Sequence, residues 1–181
     1  MLIYGLGNNS ARYFETRHNV GRLLLESLDT GKFSAKENYL YRRVGPHYHL
    51  LTSGFMNDSG LPLVSFVKYF KLEPGRLLIL QDDSDQLEGC VKLVQSGGSA
   101  GHHGINSIYR YLVATGFTLD DVWRLKIGIR PSGNRHKSET FVLKPNTPRI
   151  TQTLTDLSSV LQHLPPSPDL HKLQNTLNTK R

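Results

Sequence analysis

Apolar residues in this chain fall into short, separated blocks, and the period within each block distinguishes strand from helix. "LIYGL" (2–6) is an apolar run, and "RLLILQDD" (76–83) is a stronger one that closes on carboxylates; both fit strands covered on two faces. "CVKLVQS" (90–96) and "VWRLKIGIR" (122–130) alternate apolar and polar positions, the two-residue period of a strand. "YLYRRVG" (39–45) and "HYHLLTSG" (47–54) read as two strands joined at the Gly45–Pro46 turn. Spacing of three and four residues predicts a helix over "VGRLLLESL" (20–28), with Asn19 as its cap. A second helix runs through "VSFVKYF" (64–70), capped by Asn57 or Ser59 with Pro62 in its first turn. "INSIYRYLV" (105–113) and the amphipathic "ITQTLTDLSSVLQHL" (150–164) complete the helices.

Strands and helices alternate, which predicts an α/β fold with a parallel or mixed sheet. The 181 residues suit a single domain, 1–181, and contain no internal repeat. "PPSP" (165–168) breaks the chain before a polar end, so residues 165–181 are expected either to hinge as a mobile segment or to follow an ordinary loop. No block approaches the roughly 20 apolar residues of a membrane span, and the opening "MLIYGLGNNS" lacks the basic leader of a signal peptide. The lone Cys90 excludes a disulfide framework and a thiolate zinc site, and a reducing, cytoplasmic setting is expected. The net charge of +7 points to a polyanionic partner, nucleic acid first. Asp82, Asp83, Asp85 and Glu88 crowd into one segment, so most of the remaining chain is more basic than the total implies.

In an open α/β sheet the site forms beyond the strand ends. Those positions carry Asn8 and His18 after the first strand, Met56 and Asn57 after 47–54, Asp82 at the end of 76–83, and His102 and His103 after 90–96. A histidine oriented by a carboxylate is a general base, and asparagine amides can hold a substrate amide or a developing oxyanion. The set lacks an evident serine or cysteine nucleophile, which favours water as the attacking group.

Other motifs compete for this chemistry. "GLGNNSA" (5–11) begins like a dinucleotide-binding turn but lacks the third glycine. "GGSAG" (97–101) places Ser99 where a nucleophile elbow has its serine, with Asp120 or Asp121 and His136 in matching chain order. His47 and His49 would share one face of a strand and His102 adjoins His103, but no carboxylate or thiol stands at ligand spacing, so no metal site is expected. The glycine-rich "SGGSAGHHG" (96–104) precedes a helix, where backbone N–H groups can converge on an anion.

Taken together, "GLGN" (5–8), "Y..TRHNVG" (13–21), "FMNDSG" (55–60), "QDDSD..EG" (81–89), "GGSAGHHGINSI" (97–108) and "RLKIGIRP" (124–131) resemble the bacterial-type peptidyl-tRNA hydrolases in content and order, over residues 2 to about 148. The resemblance implies a monomeric three-layer α/β/α sandwich with a central twisted mixed sheet, peptidyl-tRNA as partner, and hydrolysis of its ester without metal or other cofactor. It implies His18 as base, Asp82 as the carboxylate that orients it, and Asn8 and Asn57 as residues that hold the peptidyl group and polarise its carbonyl. Met56 matches a residue lining that pocket, and Tyr13 and Asn19 fall within the shared motif and are expected at the substrate. His103 stands where the family usually has asparagine, and "GNNS" replaces the commoner "GNPG". Lys126 matches a residue that grips tRNA phosphate; Val94 occupies a second, often basic position, with Lys92 nearby. The family also includes plant chloroplast splicing factors that bind RNA without hydrolysis; retention of Asn8, His18, Asn57 and Asp82 argues for the enzyme.

Overall fold

The computed structural model describes residues 1–28, 31–73, 75–134 and 136–178. Its frame is a seven-stranded sheet of β1 (Leu2–Gly5), β2 (Ser34–Ala35), β3 (Tyr39–Val44), β4 (His47–Thr52), β5 (Leu77–Leu87), β6 (Val91–Gln95) and β7 (Val122–Arg130), in the order β2-β3-β4-β1-β5-β7-β6. Strands β4, β1, β5 and β7 run parallel, while β2, β3 and β6 pair antiparallel with their neighbours. The apolar run of β5 lies between β1 and β7, covered on both faces as its composition requires. Helices α1 (Val20–Glu26), α4 (Pro148–Gln162) and α5 (Leu170–Asn178) bury Leu24, Leu25, Ile150, Leu157, Leu161 and Leu170 on one face. Helices α2 (Gly60–Phe70) and α3 (His103–Tyr111) bury Leu63, Phe66, Ile105 and Ile108 on the other, giving the expected three layers.

The helix starts differ from the pattern. Asn19 makes no capping bond; it ends a 3-10 turn, Arg17–Asn19, and its side chain turns to Asn8. Neither Asn57 nor Ser59 caps α2: Asn57 is exposed in the 3-10 turn Met56–Asp58, and the Ser59 hydroxyl donates to the Met56 carbonyl at 2.6 Å. Helix α3 begins earlier than the apolar spacing suggests because the imidazole of His102 caps it, Nδ1 accepting from the Ile105 N–H at 3.4 Å. Strand β5 continues past its carboxylates to Leu87, with its pairing to β7 irregular between Asp83 and Leu87.

The polar end of the chain forms α5, which lies along β6. Gln174 Nε2 donates to the Leu93 carbonyl at 3.0 Å, and Asn178 both accepts from the Leu93 N–H at 2.9 Å and donates to its carbonyl at 3.2 Å. Before it, the Pro168 carbonyl accepts from Arg76. Residues 179–181 of the segment expected to move lie outside the described residues. No helix among the described residues is long and apolar enough to cross a membrane.

Helix α1 approaches β5 so closely that a Cβ on Gly21 would lie 2.1 Å from the Leu80 carbonyl oxygen, two residues before Asp82. Gly21→Ala must push α1 off the strand. We expect it to destabilise the fold by about 3 kcal/mol, lowering Tm by roughly 6–12 °C; thermal unfolding followed by circular dichroism checks this, and an unchanged Tm would show that the contact is not needed.

Candidate active site

The segments after β1, β4 and β6 collect with the end of β5 at the carboxyl edge of the parallel strands, where an open α/β sheet binds its ligand. A cavity of about 250 Å³ opens there, bordered by His18, Asp82, Ser99, His102, His103 and Lys126 among others. His18 is held in place through its neighbours. The Arg17 guanidinium donates to the carbonyls of Ile129 (2.8 Å) and Pro145 (3.2 Å), and the His18 N–H donates to the Val142 carbonyl at 2.9 Å.

Asp82 is 3% exposed. His18 Nδ1 lies 2.9 and 3.0 Å from its two carboxylate oxygens, and His102 Nε2 lies 3.0 Å from one of them, Oδ1. Burial alone would raise the Asp82 carboxyl, but the charges and hydrogen bonds of the two imidazoles outweigh it and hold the group well below the usual carboxylate range. Burial would lower His18, yet the Asp82 charge and hydrogen bond outweigh that as well and raise it above the ordinary 6.5. The network assigns the tautomers. The His18 proton sits on Nδ1 against the carboxylate, leaving the Nε2 lone pair free, while His102 accepts with Nδ1 and directs its own N–H at Asp82.

Asn8 is tied to Asn19, the residue that follows His18. Its N–H donates to Asn19 Oδ1 (2.8 Å), its carbonyl accepts from Asn19 Nδ2 (3.0 Å), and its Oδ1 accepts from the Met56 N–H (2.9 Å). The Nδ2 amine of Asn8 is left without a partner among the described residues. Asn19 is wholly buried, so it braces Asn8 and does not face a substrate as expected. Met56 is likewise buried, its Cγ under Gly104. Asn57 and His103 are exposed, and His103 borders the cavity. Tyr13 lies in the 3-10 turn Ala11–Tyr13 and does not border the cavity. Lys126 Nζ reaches Asp83 Oδ2 at 2.7 Å, and the exposed Lys92 lies across the strand from it.

The sequence places His102 among the strand-end residues but does not reveal its link to Asp82, which spans 20 positions and the whole of β6. It also brings two imidazoles and a carboxylate within 4.8 Å of one another, a grouping that linear spacing did not offer. The competing motifs do not assemble. Ser99 borders the cavity, but Asp120 and Asp121 precede β7 at the opposite end of the sheet, where Asp121 binds Thr118, and the His136 N–H is bonded to Asn134. His49 accepts from Arg42 Nε at 3.2 Å, and burial with that guanidinium pushes it down to about 3. Gly7 backs onto Arg22, where any Cβ would meet the Arg22 side chain at 2.5 Å, so the first glycine turn serves close packing.

Comparison with known proteins points to one family. A model of the family described as peptidyl-tRNA hydrolase matches residues 2–181. The peptidyl-tRNA hydrolase of Coxiella burnetii is 34% identical over 149 residues, covering 80% of this chain and 77% of its own. That of Desulfotalea psychrophila is 40% identical over 140 residues, covering 73% and 68%. The crystal structure of the Acinetobacter baumannii peptidyl-tRNA hydrolase superposes with a TM-score of 0.78 at 26% identity, covering 98% of this chain and 94% of that one. With the family model, the relatives and the fold in agreement over most of its length, the chain belongs to the peptidyl-tRNA hydrolase family.

Proposed function

We infer that the protein hydrolyses the ester between a peptide and the terminal ribose of tRNA, releasing both, and that His18 is the base that activates water. Family membership supports the reaction. The observation that carries the mechanism is the bond from His18 Nδ1 to the buried Asp82, which leaves Nε2 free on a residue that borders the cavity. Water bound at Nε2 attacks the ester carbonyl as its proton passes to the imidazole, and Asp82 stabilises the imidazolium. The tetrahedral adduct then expels the ribose oxygen, which takes the proton back from His18. The free amine of Asn8 and the amide of Asn57 hold the peptidyl carbonyl and its developing charge.

Lys126 and Lys92 supply the cationic edge for the tRNA backbone. The exposed large apolar side chains, among them Phe14, Phe55, Leu87 and Val113, are scattered along the chain, which fits action as a monomer. The single Cys90 fits the cytoplasm. A protein that bound RNA without cleaving it would release no peptide from a model peptidyl-tRNA, and that assay separates the two activities.

His18→Ala is expected to lower kcat by roughly 10²–10⁴ with a much smaller change in tRNA affinity; full turnover in the variant rejects His18 as the base. Because the base works unprotonated and its pKa lies above 6.5, the acid limb of the kcat profile should centre above that value. Asp82→Asn removes the charge that raises His18, so the limb should move to lower pH while the plateau falls; an unmoved limb detaches the pH dependence from this pair. His103→Asn swaps one exposed donor and acceptor for another, and a difference of about 1 kcal/mol, roughly fivefold in kcat/KM, is the most expected from steady-state kinetics.

A further inference from the structure

The cavity beside His18 differs in charge from the chain that forms it. The sequence carries a net +7. Among the described residues, however, the charged groups bordering the cavity are the carboxylates of Asp82, Asp83, Asp85 and Glu139 against the ammonium of Lys126. All but one of those carboxylates are occupied. Asp82 faces the imidazoles of His18 and His102. Asp83 Oδ2 accepts from Lys126 Nζ at 2.7 Å and from Gln86 Nε2 at 2.6 Å, and Asp85 Oδ1 lies 3.5 Å from Arg130 Nη2. Glu139 differs: it is exposed, and among the described residues its carboxylate has neither an ion pair nor a hydrogen bond.

The backbone that positions the base also positions Glu139, which sits in the 3-10 turn Ser138–Thr140. The Ser138 carbonyl accepts from the N–H groups of Phe141 (2.9 Å) and Val142 (3.0 Å). Phe141 is 1% exposed, packed in the core, and so anchors the turn. The Val142 carbonyl in turn takes the His18 N–H at 2.9 Å. A turn this short has no appreciable helix dipole for a carboxylate to answer. Nor does a carboxylate help a surface that must meet phosphate. Its use lies with the other part of the substrate, the peptide.

We propose that Glu139 is a specificity-determining residue: its carboxylate meets the side chain of the residue esterified to tRNA and favours a cationic one over an anionic one. The inference rests on the hydrolase reading above. The carbonyl attacked by water at His18 belongs to that residue, and its side chain branches from the adjoining carbon, so it enters the same cavity. A lysine or arginine head there pairs with Glu139, whereas a glutamate is repelled. The test compares the parent protein with Glu139→Gln and Glu139→Lys on N-acetyl-lysyl-tRNA, N-acetyl-phenylalanyl-tRNA, N-acetyl-glutamyl-tRNA and unacetylated phenylalanyl-tRNA. Each variant is referred to the parent on the same substrate, so differences among the tRNA bodies cancel. Glu139→Gln should lower kcat/KM roughly fivefold on the lysyl substrate, raise it by a similar factor on the glutamyl one, and leave the acetylated phenylalanyl one within about twofold. Glu139→Lys should favour the glutamyl substrate over the lysyl one. The same change on all three acetylated substrates, or none on any, would overturn the assignment and leave Glu139 a surface charge. An effect confined to unacetylated phenylalanyl-tRNA would show that the cation met is an α-ammonium, and would overturn the side-chain assignment. Failure of the parent to release an acyl group from any substrate would remove the hydrolase reading alone. The Kd of each species then decides: a lysyl preference lost in Glu139→Gln supports the recognition, and equal affinities overturn it.

Discussion

Everything at the carboxyl edge of the sheet is arranged around one buried negative charge. Asp82 sits in the middle of β5, a strand enclosed on both sides, where a lone carboxylate would take up a proton to escape desolvation. Two imidazoles arriving from different loops keep it ionised. The same charge fixes which nitrogen of His18 is free and raises the affinity of that nitrogen for a proton. His102 contributes twice, since its second nitrogen also begins α3. Removal of Asp82 would therefore disturb a base, a helix terminus and a loop together.

A second layer holds the first. Asn19 locks the backbone of Asn8, Asn8 locks the Met56 N–H, and Met56 packs beneath Gly104 at the start of α3. The links through Asn19, Asn8 and the Met56 N–H are buried hydrogen bonds, and such a network confers rigidity. The close approach of Gly21 to Leu80 sets the distance between the helix that follows His18 and the strand that carries Asp82.

Much of this was legible in the chain. The unbroken apolar run 77–80 and the alternation of 122–130 identified the central strands because burial on two faces or one leaves a direct mark on composition. Asn8, His18 and Asp82 could be named from their places after strands. Caps were harder to read. Asn19, Asn57 and Ser59 all have the chemistry of a cap, but tertiary partners claimed Asn19 and Ser59 and solvent claimed Asn57, a competition that local sequence does not display. His102 escaped notice as a partner of Asp82 because the bond depends on how a glycine-rich segment folds back over β6 and β7, and glycines carry little directional information. The burial of Arg124 was equally hidden, since an alternating strand looks the same whether its polar face meets water or another layer.

The docking of α5 on β6 has a consequence for the life of the chain. Strand β6 is the last in the sheet, and its outward N–H and carbonyl groups would template another strand if left bare. Side-chain amides of Gln174 and Asn178 occupy those of Leu93 in the manner of a neighbouring strand, without a strand being there. During synthesis this margin stays open for some eighty residues after it is made, so protection from intermolecular pairing arrives only with the final helix.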